Sequence, residues 1–255
     1  MTRPSAAWIW QAGSVLVAFA ILLLWEGVAE WRLVSPVFLP TPLAALASLR
    51  DGFASGELWP LIFGTVERMV LGWVLASLVG VAVGALIGVS PVARAWLQPM
   101  LEFIRPIPAS SVMPIAIAIF GLSPGMVLAV VAFGSVWPVL LATVHGFSAI
   151  EPRLDEVSRV LRLSRPAFIW KMGLPSALPD IFSGLRLSLT VSLILAVVGE
   201  MLSSQHGLGL AILLAARSYH SADLFASIAL LGAIGYASNA LLQALERRVL
   251  AWRLA

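Results

Sequence analysis

Cysteine is absent from the 255 residues, which excludes disulfides, thiolate metal sites and cysteine nucleophiles. Lysine is almost absent as well. The single one, Lys171, sits between Trp170 and Met172, whereas a phosphate loop needs a glycine-rich turn followed by lysine and Ser or Thr. The chain therefore has no nucleotide site of that kind. Three histidines, His145, His206 and His220, lie far apart and lack metal-ligand spacing. No cofactor is expected. Charge is scarce too, at 11% of residues against roughly 25% in average soluble domains. So few charges cannot cover a surface that faces water on all sides. The clustered acids or histidines that a membrane enzyme needs within its helices are also missing from the pattern.

Apolar residues fill the space that charge leaves. They make up 60% of the chain, mean hydropathy is +0.97, and they come in long runs rather than periodic stripes. A helix needs roughly 20 apolar residues to cross the hydrocarbon core, and six segments qualify, predicting an all-α polytopic membrane protein. They are Trp8 to Trp25, Met69 to Val89, a third ending near Phe120, Met126 to Thr143, Ile181 to Leu202, and Leu224 to Leu245. The turn composition of Gly121-Leu122-Ser123-Pro124-Gly125 separates the third from the fourth. Ile107 to Phe120 is too short to span, so the third helix is expected to begin near Ala95. It then carries Glu102 and Arg105, three apart on one face, with Pro106 and Pro108 disturbing it there. The two charges fit either a pair inside the bundle or a place at the interface. Arg3 before the first run and Gly27-Val28-Ala29 after it faintly resemble a signal peptide; the segment is read as a membrane anchor.

The net charge of +3 and pI near 10.2 do not point to nucleic acid, because the basic residues lie in the gaps between apolar runs. With both termini cytoplasmic, the inner segments hold ten: Arg3, Arg94, Arg153, Arg159, Arg162, Arg165, Lys171, Arg247, Arg248 and Arg253. The outer segments hold four: Arg32, Arg50, Arg68 and Arg217. This bias supports both termini inside. In the second run, Gly72, Ala76, Gly80, Gly84 and Gly88 place a small residue at every fourth position. Such a stripe lets helix backbones approach in lipid, either for plain packing or as a face that slides. Glu200, thirteen uncharged residues after Arg186, is costly in lipid unless it faces water or a partner.

Ile150 to Pro175 is more polar than a simple connection requires. Pro152 suits a first helical turn. Leu154, Val157, Ser158 and Leu161 then fall at helical spacing, with Arg153, Asp155, Glu156, Arg159 and Arg162 on the remainder. Ser164 and Pro166 are read as restarting a second helix that Leu174-Pro175 ends. A short amphipathic helix between two spans must bury its apolar stripe in the bilayer interface or in a partner protein.

The same segment resembles the cytoplasmic loop of permease subunits of binding-protein-dependent ABC importers. That loop reads Glu-Ala-Ala, three residues, Gly, nine residues, Ile, one residue, Leu-Pro. Here Glu156-Val157-Ser158, Arg162 at the glycine position and Met172-Gly173-Leu174-Pro175 stand in register. The two alanines, the glycine and the isoleucine do not match. Further likeness points to the nitrate, sulfonate and taurine branch: Leu24-Trp25-Glu26 with Leu39-Pro40-Thr41-Pro42, Gly56-Glu57-Leu58-Trp59, and Arg68 with Gly72. Arg105-Pro106-Ile107-Pro108 with Pro114 and Phe120-Gly121, Pro179 with Gly184-Leu185-Arg186, and Glu200-Met201 with Gly207-Leu208-Gly209 complete it.

The resemblance implies an importer permease of the bacterial inner membrane. Residues 1–65 would form an N-terminal transmembrane helix and linker, and 66–255 the core domain with a coupling loop at 150–175. Two copies would enclose the pathway, two cytoplasmic ATP-binding subunits would drive alternating access, and a periplasmic or lipid-anchored binding protein would deliver a small organic or inorganic anion. Leu154, Glu156, Val157, Ser158, Leu161, Arg162, Leu174 and Pro175 would couple to the ATPase; Arg105, Arg186, Glu200, Gly207 and Gly209 would belong to the pathway or its gate. Hydropathy by itself also admits an ATP-independent carrier or channel. Such carriers often show internal repeats with broken helices, and no convincing similarity between the halves is seen.

Overall fold

A computed structural model describes residues 4–253. The order of elements is α1 (Pro4–Glu30), α2 (Pro42–Ser55), α3 (Leu58–Val89), α4 (Pro91–Ile104), α5 (Ala109–Phe120), α6 (Pro124–Ser148), α7 (Pro152–Val160), α8 (Arg165–Phe168), α9 (Leu174–Ser203), α10 (Leu208–Arg217) and α11 (Ser221–Val249). Among the described residues there is no β-strand. Among the described residues, five helical segments are long and apolar enough to cross a membrane, or six if α4 and α5 count as one bent span. The chain is an all-α polytopic membrane protein.

Helix starts follow local chemistry. Ser123 accepts the Met126 N–H at 3.3 Å before Pro124, and Ser90 accepts the Ala93 N–H at 3.2 Å before Pro91. In both, a hydroxyl takes an orphan donor and proline supplies a preset φ at a position needing no N–H. Thr41 and Pro42 do the same for α2, whose end falls at Gly56, in the left-handed region at φ 82°.

Two expectations need correction. The third span is not one helix: α4 and α5 meet at 88° across residues 105–108. Pro106 and Pro108 remove two backbone donors in three residues, so the ladder cannot continue. Nor does Leu174-Pro175 end a helix. A widened turn at Ile169–Gly173, in which the Leu174 N–H reaches back five residues to the Ile169 carbonyl, leads straight into α9. Pro175 falls in the first turn of α9, where its missing N–H costs nothing. Helix therefore runs from Pro166 to Ser203.

The chain divides into two compact units. One comprises residues 1–60 and 211–231. In it the Trp25 indole donates to the Pro40 carbonyl at 2.9 Å and stacks at 5.3 Å on Phe225, while the Ser48 hydroxyl donates to Asp223 at 2.6 Å. The other comprises 61–210 and 232–255. Its core joins Met69 of α3, Met113 of α5, Met126, Val127, Val130 and Val131 of α6, and Leu189, Leu195 and Ala196 of α9. All five residues of the small-residue stripe on α3 are buried. A Cβ added at Gly84 would lie 2.7 Å from the Leu140 carbonyl oxygen, and one at Gly88 2.6 Å from the Phe147 Cβ. Helices α3 and α6 thus approach backbone to backbone at Gly84 and Gly88, where no side chain fits between them.

Candidate functional site

Two places in the larger unit bring together several of the predicted polar and charged residues. The first is the segment between α6 and α9. Helix α7 begins after Glu151 with Pro152 in its first turn. Leu154 is half-buried and lines a cavity of about 250 Å³ together with Gly146, Ile150, Pro175, Asp180 and Trp252. Ser158, one turn on, is only 7% exposed. These two residues therefore turn inward. Val157 and Leu161 are exposed, as is Glu156. Val160, which the predicted stripe omitted, is 81% exposed. The chain leaves α7 through Arg162 in the left-handed region at φ 50°, with the Arg162 N–H on the Arg159 carbonyl at 3.1 Å and the Leu163 N–H on the Ser158 carbonyl at 2.9 Å. Arginine here adopts the backbone form that glycine adopts without strain. Leu174 packs beside Phe147, Ala177 and Ile181.

The second place is the end of α9. Glu200 is fully buried. Its Oε1 accepts from the Arg68 guanidinium of α3 at 2.7 Å; its Oε2 accepts from the Thr65 hydroxyl and from the Gly209 N–H, each at 2.9 Å. Arg68 also donates twice to the His206 carbonyl at 3.1 Å, and Thr65 accepts the Leu208 N–H at 2.9 Å. A buried carboxylate is tolerated because a cation and oriented donors surround it. A Cβ at Gly207 would overlap the carboxylate, and one at Gly209 would meet the Val197 carbonyl and Glu200. The turn at 204–209 is thus laid directly on the acid. No local pattern in the sequence joins Arg68 to Glu200. The available signal was that Glu200 is a lone acid near the end of one apolar run, with Arg68 beside Glu67 at the start of another.

The remaining predicted residues lie elsewhere. Arg105 is exposed at the α4–α5 break, and Glu102, also exposed, accepts from Gln98 at 3.0 Å. Arg186 forms an ion pair with Glu246 of α11, a partner the sequence did not indicate. Among the described residues, no three metal-ligating side chains converge.

Comparison with known proteins agrees with this architecture. The family described as "Binding-protein-dependent transport system inner membrane component" matches residues 76–251. Over 244 residues the chain is 32% identical to the Bacillus subtilis (strain 168) protein named for aliphatic sulfonates transport, the permease SsuC, covering 96% of this chain and 88% of that protein. The taurine transport system permease protein TauC of Escherichia coli (strain K12) is 29% identical over 237 residues, covering 91% and 86%. The nitrate import permease protein NrtB of Leptolyngbya laminosa is 32% identical over 199 residues, covering 78% and 71%.

Proposed function

Since the chain belongs to the family of binding-protein-dependent transport system inner membrane components, in its nitrate, sulfonate and taurine branch, we propose that it forms the translocation pathway of an ATP-driven importer for a small anion. The named relatives carry sulfonates, taurine and nitrate, and an anion of this size class is the proposed cargo. Two copies of the chain enclose the path, two cytoplasmic ATP-binding subunits drive alternating access, and a periplasmic or lipid-anchored binding protein presents the substrate. The chain lies in the bacterial inner membrane with both termini cytoplasmic. Residues 1–65 act as an outer helix and linker, and 66–255 as the core.

The observation that carries this reading is a short polar helix, α7, that leaves Val157 and Leu161 exposed between two buried-core spans. Apolar side chains presented on a charged loop are what a helix-in-groove partner takes up. In this proposal Leu154, Glu156, Val157, Ser158, Leu161 and Arg162 couple to the ATPase, with Leu174 and Pro175 joining that loop to α9. Glu200, Gly207 and Gly209 form the outer gate with Arg68, and Arg105 and Arg186 belong to the pathway.

The test is co-purification of the ATPase with detergent-solubilised permease carrying Leu161→Asp, beside a check of membrane insertion. Burying an unpaired carboxylate in an apolar groove should weaken assembly by about 2–5 kcal/mol, with uptake lost. A normally inserted Leu161→Asp permease that keeps its ATPase and transports would refute the coupling role. An ATP-independent carrier would instead transport in vesicles with no ATPase present.

A further inference from the structure

The smaller unit, residues 1–60 and 211–231, contains a groove that the function above does not use. It has a volume of about 350 Å³ and lies between α1, α2 and the first turns of α11. Its walls are apolar, with Leu22 and Leu23 from α1, Leu43, Leu46 and Leu49 from α2, and Phe225 from α11. Trp25 also lines it, fixed by its bond to the Pro40 carbonyl and its ring contact with Phe225. Helix α1 is long and apolar enough to cross the membrane, so the leucines exposed on it face hydrocarbon. Helix α2, at 14 residues, is too short to span and lies at the membrane edge beside them. Glu26 is the exception in this lining. It is half-buried, and its carboxylate has no hydrogen bond or ion pair among the described residues. An acid in such a setting is costly unless water or a cation meets it. It stands four residues before the end of α1, about 6 Å along the axis, which puts it near the level of lipid headgroups.

We propose that this groove binds one phospholipid whose headgroup carries a primary amine, with an acyl chain along Leu22, Leu43 and Leu46 and the ammonium donating to Glu26. The groove is too small for a helix of another protein: one helical turn with its side chains fills a cylinder about 10 Å wide and 5.4 Å long, about 420 Å³. A single flexible hydrocarbon chain can follow it. The headgroup follows from charge. A headgroup of net negative charge is repelled by Glu26, and an ammonium is attracted. A primary ammonium also has N–H groups to donate, giving a charge-assisted hydrogen bond, whereas a trimethylated one has none. The proposal does not rest on the importer reading; only the placing of this lipid in the outer leaflet uses the orientation proposed above.

The experiment incubates the detergent-purified full chain with equimolar phosphatidylethanolamine, phosphatidylcholine and phosphatidylglycerol, and reads by native mass spectrometry the phospholipid that survives detergent washing. The native chain should hold the ethanolamine lipid about fivefold over the choline lipid, the scale of one partly wet ion pair, and over the glycerol lipid by at least as much. Glu26→Gln keeps the shape of the side chain and should abolish that preference while still holding lipid. Ala229→Phe, at an exposed lining position, should fill the groove and lower retention of all three lipids severalfold. Equal retention of the three lipids by the native chain overturns the inference, as does an undiminished ethanolamine preference in Glu26→Gln. Unchanged retention in Ala229→Phe overturns it too. If Ala229→Phe separates paired copies of the chain while lipid retention stays the same, the groove is an interface between copies and the inference falls.

Discussion

Arg68 and Glu200 stand 2.7 Å apart, joining α3 to the last turn of α9, with the Glu200 side chain sealed from solvent and the Arg68 side chain 15% exposed. Removing one member of a buried pair leaves the other charge uncompensated, at a cost of about 3–5 kcal/mol. Glu200→Ala and Arg68→Ala should each lower the thermal stability of the detergent-solubilised protein. The double variant should lose less than the two single losses added together, because the residues share one network. Strict additivity would show that the pair contributes nothing as a pair. Uptake and its coupling to ATP hydrolysis provide the second readout. Glu200→Gln, which keeps the shape and loses the charge, should impair both if this clasp works as the outer gate.

The α3–α6 contact makes a separate prediction. At Gly84 an added Cβ would meet the Leu140 carbonyl oxygen and the Thr143 Cβ, both at 2.7 Å, whereas at Gly232 it would meet nothing within 4 Å. Gly84→Val should cost about 1–3 kcal/mol through overpacking. Gly232→Ala, inside α11 with space around it, should leave the melting temperature unchanged or raise it slightly. Equal behaviour of the two variants in a detergent unfolding assay would contradict the close approach.

Topology can be checked with unusual ease, since there is no native cysteine to remove. Ser164 is exposed in the loop between α7 and α8. A Ser164→Cys variant should react with an impermeant thiol reagent in inverted vesicles and not in intact spheroplasts. Labelling from the outside only would reverse the orientation drawn from the ten-to-four distribution of basic residues.

Much of the bundle was legible because lipid imposes a simple requirement. Uncharged runs mark α3, α6, α9 and α11, and the small residues at every fourth position of α3 announced a close helix contact. What was hidden depended on pairing across distance. Arg68 and Glu200 are 132 positions apart, and no local period relates them. Helix α2 went unread although Thr41-Pro42 and Gly56 bracket it, because a 14-residue helix is too short to register as a span. The prolines at 106 and 108 foretold a disturbance but not a right-angle bend. In α7 the pattern of Leu154, Val157, Ser158 and Leu161 looked complete at helical spacing. It could not show that two of the four are used internally while Val160, off the stripe, faces outward.

The helical path from Pro166 to Ser203, widened at Ile169–Gly173 and carrying Pro179 in its interior, joins these two places. Its 38 residues, rising about 1.5 Å each, make a rod about 57 Å long. The loop bearing α7 hangs from one end and the Glu200 carboxylate sits at the other. Over that length a tilt of about 5° about the middle carries each tip about 2.5 Å. A hydrogen-bonded ion pair tolerates only a few tenths of an ångström. A movement of that size exceeds what the Glu200–Arg68 pair tolerates, and it would have to be taken up by the packing of Ile181, Leu189, Leu195 and Ala196 along the way, so the length of the helix makes the ion pair sensitive to small tilts that the core has to absorb.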